Sequence, residues 1–291
     1  MMRSTLENPA SEDALAANPS NAIGTGHSNS GLSVLKFKEK SDACKRVARE
    51  IGSLIRHRAA ENRNCVLGLA TGSTPIRVYR ELVRMHREEG LSFHNVVTFN
   101  LDEYFPMQPT APQSYVRFMN EHLFDHIDIV RSNVHIPNGT IELESVPGYC
   151  RDYDELIASC GGIDLQLLGI GRTGHIGFNE PGATRDTRTR LVKLDTLTRI
   201  DAVSDFGGIE YVPLLAITMG VDTILQAKRI RLLALGEHKA DIVQRAIESR
   251  MNATVPATFL QAHRDVQYLL DEDAAECLTA AGNNLNGENL Q

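Results

Sequence analysis

Residues 164 to 181 read DLQLLGIGRTGHIGFNEP, an apolar run that leads straight into a glycine-rich loop carrying His175 and Glu180. A short apolar run bounded by such a loop reads as a buried strand of a parallel sheet. The loop then lies at the strand's carboxyl end, where open α/β sheets bind their ligands. An imidazole and a carboxylate placed there point to an enzyme. The run also spells G-x-G-x-x-G from Gly169 to Gly174, with Asp195 about 20 residues further on. That fingerprint requires a helix to open at its third glycine and receive a pyrophosphate. Gly177, Pro181 and Gly182 interrupt any such helix, so the dinucleotide reading is set aside.

Outward from this stretch, apolar strands alternate with helical patterns. Strands are expected at 32–37, 66–70, 96–101, 134–136, 163–168, 216–219, 229–235 and 266–270. Helices are expected at 41–60, 75–89, 114–126, 148–159, 221–227, 237–250 and 272–281. The rhythm implies βαβ units and an α/β fold: a single doubly wound, mostly parallel sheet with helices on both faces, Rossmann-like in plan. Helix 75–89 is the best marked, with Ser73 or Thr74 as cap, Pro75 in its first turn and Gly90 ending it. Segment 183–212 is the least regular and reads as a lid.

Residues 1–31 hold few large apolar side chains, and the expectation is a disordered tail. One α/β domain is assigned to 32–282 and a loose C-terminal tail to 283–291. With 291 residues and 42% hydrophobic content, the chain can bury a large core. A net charge of −7 argues against nucleic acid or an anionic membrane as partner. No stretch is apolar enough for a membrane helix or a secretory signal. Cys44, Cys65, Cys150, Cys160 and Cys277 form no C-x-x-C pair and read as reduced thiols of a cytoplasmic protein. Self-association is left open.

Two further strand ends carry chemistry. VLGLATGSTP, residues 66–75, joins a strand to a helix start through Thr71, Gly72, Ser73 and Thr74. Unpaired N–H groups and hydroxyls there suit an anion, although ordinary helix capping explains the turn equally well. The junction LALGEHK, residues 233–239, puts Lys239 in the first turn of another helix. The dipole disfavours a cation there, so a bound anion gives that lysine a purpose, the alternative being a solvated surface lysine. VVTFNLDEYFP, residues 96–106, ends a strand in Asp102 and Glu103. Such a pair of like charges can raise one pKa toward that of a useful base, although an Asp-Glu pair at a strand end, taken alone, reads as an ordinary turn.

The segments LGLATGSTP, FNLDEY, SYVRFMNEHLFDHIDI and GHIGFNEPG together resemble the glucosamine-6-phosphate deaminase family, related to 6-phosphogluconolactonases, over about residues 32 to 282. The resemblance implies conversion of D-glucosamine 6-phosphate and water into D-fructose 6-phosphate and ammonia, with no metal or redox cofactor. It also implies Asp102 as general base, His175 as the group that assists ring opening and Glu180 as its supporting carboxylate. Thr71, Gly72, Ser73, Thr74 and Lys239 match the phosphate surface. Thr173 stands where the family usually has an aspartate, and Ser204, beside Asp205, stands where its lid arginine falls. Arg172, Arg185 or Arg188 is then the substitute cation. Arg190 matches an arginine of the allosteric site for N-acetylglucosamine 6-phosphate, but Val192 falls where its lysine stands. The competing readings are the galactosamine 6-phosphate epimer as substrate, a lactone hydrolase and a non-catalytic sugar-phosphate sensor.

Overall fold

The central strands are apolar throughout because they are covered on both sides. In β2 (Cys65–Leu69), β3 (Val96–Asn100), β6 (Leu165–Leu168) and β9 (Ile230–Ala234) every residue is buried. The computed structural model describes residues 31–279. With β1 (Leu32–Phe37), β5 (Val134–His135) and β10 (Val266–Asp271), these strands form a seven-stranded sheet in the order β1-β10-β9-β6-β2-β3-β5, and every pairing is parallel.

Helices α1 (Lys40–Ala60), α2 (Ser73–Glu89) and α3 (Tyr115–His122) pack one face through residues such as Ile51, Tyr79 and Met119. Helices α4 (Val146–Ser159), α7 (Val221–Leu225) and α8 (Ala240–Glu248) cover the other through Tyr153, Ile224 and Val243. The doubly wound α/β fold expected from the alternation is the one formed. From β2 the chain winds outward through β3 to β5, and from β6 through β9 to β10. The strand order therefore reverses between β2 and β6, and the crevice at their carboxyl ends is where such sheets bind ligands.

Several local expectations change. Leu215–Thr218 (β8) does not join the central sheet: it pairs antiparallel with Asp102–Phe105 (β4) and Arg190–Lys193 (β7) in a separate three-stranded sheet. The acid turn is thus itself the start of a strand. Helix α2 begins at Ser73 with Gly72 at its N-cap, so neither Ser73 nor Thr74 caps it, while Gly90 closes it in the left-handed conformation. Segment 183–212 holds β7, α5 (Thr196–Asp201) and α6 (Val203–Phe206). Of the final helix, only a short 3-10 turn at Asp273–Ala275 forms among the described residues. The expected tails fall almost wholly outside the described residues. No helix among the described residues is long and apolar enough to cross a membrane.

Candidate active site

The small sheet brings the acid turn to the histidine loop. Asp102, the first residue of β4, lies opposite Thr218 of β8. The Thr218 hydroxyl accepts the Phe178 N–H at 3.0 Å, and the Asn179 amide donates to the Met219 carbonyl at 2.8 Å, so the loop is stapled to the same strand. Asp102 is 6% exposed, and among the described residues no donor meets its carboxylate. Burial, with the nearby Glu103 charge adding to it, pushes its pKa up to about 8. Gly177 passes so close that a Cβ there would lie 3.4 Å from an Asp102 oxygen, on a backbone with φ +56° that favours glycine.

Glu103 takes a different task. Its carboxylate accepts the N–H groups of Tyr115 at 2.8 Å and Val116 at 3.2 Å, the first turn of α3, where the helix dipole favours an anion. Burial raises its pKa to about 7 against the pull of those donors. Of the two adjacent acids, one fastens a helix and the other faces the crevice.

His175 comes from the other side. Its Nδ1 lies 2.9 Å from Thr173 Oγ1 and 3.2 Å from Glu180 Oε2. The imidazole rests on Gly171, where a Cβ would approach the ring to 2.0 Å, so only glycine admits this ring position. Burial works against the charge of Glu180, yet the hydrogen bond from His175, its charge and the Thr198 hydroxyl hold the pKa below the usual range.

Asp102, His175, Thr71, Tyr115 and the Gly169–Gly171 backbone line one cleft of about 170 Å³ at the sheet's reversal point. Glu180 stands behind the histidine. Lys239 donates to the Ile170 carbonyl at 2.8 Å on the cleft wall. It is the last residue of a 3-10 turn, Glu237–Lys239, and the N-cap of α8, and is not within the helix's first turn. Burial lowers its pKa, and Asp201 and Arg172 act on it with opposite signs. The first turn of α2 has no side-chain cap, which leaves its N–H groups available beside Thr71. Gly72 and Ser73 line a larger neighbouring pocket of about 470 Å³ that shares Tyr115 with the cleft.

Of the three substitute arginines, Arg188 is committed to Asp154 at 3.1 Å and Asp222 at 3.0 Å. Arg185 is exposed in the segment 183–212. Arg172 sits on the histidine loop, pairs with Asp201 of α5 at 2.9 Å and is the one that acts on Lys239. Sequence reasoning missed Tyr115, within hydrogen-bonding reach of Thr71 and Tyr104, and Thr198 of α5. Tyr115 had a usable signal, since it follows Ser114, the cap of α3. Thr198 had none.

The family model of glucosamine-6-phosphate isomerases and 6-phosphogluconolactonases matches residues 38–269. A glucosamine-6-phosphate deaminase from Bacillus velezensis is 46% identical over 229 residues, covering 79% of this chain and 94% of that protein. A glucosamine-6-phosphate deaminase-like protein from Bacteroides thetaiotaomicron is 44% identical over 84% of this chain, which spans only 37% of that longer protein. The solved structure of a monomeric glucosamine-6-phosphate deaminase superposes with a TM-score of 0.80 at 43% identity, covering 84% of this chain and 99% of that one. With that extent of match, the chain belongs to the family of glucosamine-6-phosphate isomerases and 6-phosphogluconolactonases.

Proposed function

We propose that this chain is an enzyme that converts D-glucosamine 6-phosphate and water into D-fructose 6-phosphate and ammonia. The observation that carries this reading is the buried, undonated carboxylate of Asp102 across one cleft from the His175–Glu180 pair. Proton abstraction beside a carbonyl needs a base whose pKa lies near the working pH, and ring opening needs a group that carries a proton between two oxygens.

In this reading His175 moves the anomeric hydroxyl proton to the ring oxygen, and the pyranose opens to an aldehyde. Asp102 takes the proton from C2 while O1 gains one given up by the amino nitrogen, giving an enol-type intermediate, and Asp102 returns its proton to C1. The nitrogen at C2 is then an imine, which adds water and releases ammonia. Glu180 holds the imidazole through Nδ1. Thr71, the N–H groups at Gly72, Ser73 and Thr74, Lys239 and Arg172 receive the 6-phosphate. Arg172 is chosen over Arg185 and Arg188 because it alone acts on Lys239. The five free thiols suit a reducing cytoplasm.

Ammonia release from glucosamine 6-phosphate, run beside its galacto epimer and beside 6-phosphogluconolactone hydrolysis, tests the reading. Release from the gluco epimer is expected. Lactone hydrolysis without ammonia, or binding without turnover, would overturn it.

A further inference from the structure

Three oxygens crowd one nitrogen of His175. Thr173 Oγ1 lies at 2.9 Å, Glu180 Oε2 at 3.2 Å and Thr198 Oγ1 at 3.4 Å, all around Nδ1. Glu180, held as a carboxylate, only accepts. The Thr173 hydroxyl reaches Glu180 Oε2 at 3.3 Å, and Thr198, whose hydroxyl lies at 3.4 Å from the same ring nitrogen, helps to keep Glu180 charged. With the Thr173 proton pointed at the carboxylate, the Thr173 and Glu180 oxygens can only accept from the imidazole. Nδ1 therefore carries the hydrogen, and Nε2 keeps its lone pair on the cleft side, next to Gly171.

The origins of the two hydroxyls differ. Thr173 belongs to the histidine loop itself, whereas Thr198 is on α5, in a segment that touches both His175 and Glu180. Thr198 is 8% exposed, and the same segment gives Glu180 a second contact, the Asp195 N–H at 3.4 Å. The Arg172–Asp201 ion pair joins the next turn of α5 to the loop. Helix α5 thus docks on the loop at Glu180 and at Arg172, and only the Glu180 end reaches His175.

We propose that Thr198 is a positioning residue that makes the proton-carrying geometry of His175 depend on α5 being seated over the site. The inference rests on the reading of His175 as the proton carrier. When α5 lifts, Nδ1 loses the Thr198 hydroxyl and Glu180 loses the Asp195 N–H together, and the imidazole is left to Thr173 and a less constrained Glu180. Seated, the segment completes the set of donors that fixes the carboxylate and, through it, the ring.

Thr198→Val removes the hydroxyl and keeps the shape, while Thr198→Ser keeps the hydroxyl. The expected result is a kcat for ammonia release lower by about 10-fold in the valine variant, the size of one hydrogen bond to a charged group. KM should change less than 3-fold, and serine should restore most of the rate. Nitrogen-15 spectra of His175 at pH 8.5 should show a clean Nδ1–H tautomer in the unsubstituted protein and a mixture in the valine variant. Unchanged kcat and unchanged ring spectra in Thr198→Val would overturn the proposal. So would a loss that serine does not restore. Failure of the underlying reading looks different: His175→Gln would then retain full activity.

Discussion

Asp102 and Glu180 are both carboxylates beside one small cleft, and their surroundings push them in opposite directions. Asp102 is buried without a donor, and its pKa rises to about 8. Glu180 is also largely shielded, but His175, Thr198 and the Asp195 N–H favour its charge, and its pKa falls. Two acids of the same chemistry are thereby separated into a base that can change state near neutral pH and a fixed anion that orients an imidazole. The difference is one of donors more than of depth. The acid turn ends in a strand whose N–H groups are used in pairing, while the histidine loop and α5 aim their donors inward.

The strongest way to break the contrast is to remove the base. Asp102→Asn keeps shape and volume but not proton affinity, and turnover should fall by about 10²-fold or more with little change in phosphate binding. Near-normal kcat in the purified variant would take Asp102 out of the mechanism. Glu180→Gln attacks the other side and should lower kcat by about 10- to 100-fold, since a neutral amide can present its N–H to Nδ1 and turn the ring. Unchanged kcat in the purified variant would withdraw the supporting role given to Glu180.

Much of this was legible from residue order. Strand runs such as CVLGL and VVTFN are apolar at every position because they are buried on both faces, and helix α2 is bounded by Gly72 and Gly90. Asp102, His175 and Glu180 stood out because they sit at the carboxyl ends of such runs. What was hidden depends on distant partners. The four residues of β4 read as a turn because the strand that pairs with them, Leu215–Thr218, is more than a hundred positions away. Glu103 could not be separated from Asp102 until α3 was seen to place its first N–H groups over that carboxylate. Thr198 lies in a stretch with no apolar period, and its hydroxyl gains meaning only once α5 is folded over Glu180. The 272–281 region had helical composition, yet its described part closes after one 3-10 turn.

The phosphate end is expected to show a smaller effect. Lys239→Ala removes one cation from the cleft wall and should reduce kcat/KM by about 10- to 150-fold, through KM more than through kcat, as loss of a charge-assisted hydrogen bond implies. Arg172→Ala should act in the same direction but more weakly, because its charge is already shared with Asp201 and half exposed to water. If Arg185→Ala weakens the enzyme and Arg172→Ala does not, the assignment of the phosphate arginine passes to Arg185.

Asp102 also makes a prediction about stability. Its folded pKa is raised from 3.8 to about 8, so between those values the native state holds a proton that the unfolded chain has released. The contribution is complete below the unfolded value and is lost as pH rises through the folded one. Asp102→Asn removes the titration. The variant should therefore gain on the parent protein progressively from pH 5 to pH 8, with a constant gap above, visible as a Tm higher by about 2–4 °C per kcal/mol. Parallel Tm curves across that range would mean that the carboxylate is not held neutral in the fold, and the contrast with Glu180 would lose one of its sides.

The smallest expected effect concerns activation, at the far end of the same loop. Arg190 donates to the Asn179 side chain at 2.9 Å, and burial lowers its pKa, so its guanidinium already serves the loop that carries His175 and Glu180. Two residues on, Val192 packs beside Ala216 in a small apolar cluster and offers no charge to an anion. A phosphate arriving there would meet one half-buried, committed cation and an apolar neighbour. N-acetylglucosamine 6-phosphate added at subsaturating substrate should therefore change the rate of ammonia release by less than about 2-fold, equivalent to under about 0.5 kcal/mol of coupling. A several-fold rise would show that Arg190 leaves Asn179 to bind the effector. The histidine loop would then be the movable partner of the cleft, and the fixed anion at Glu180 would be fixed only in the activated state.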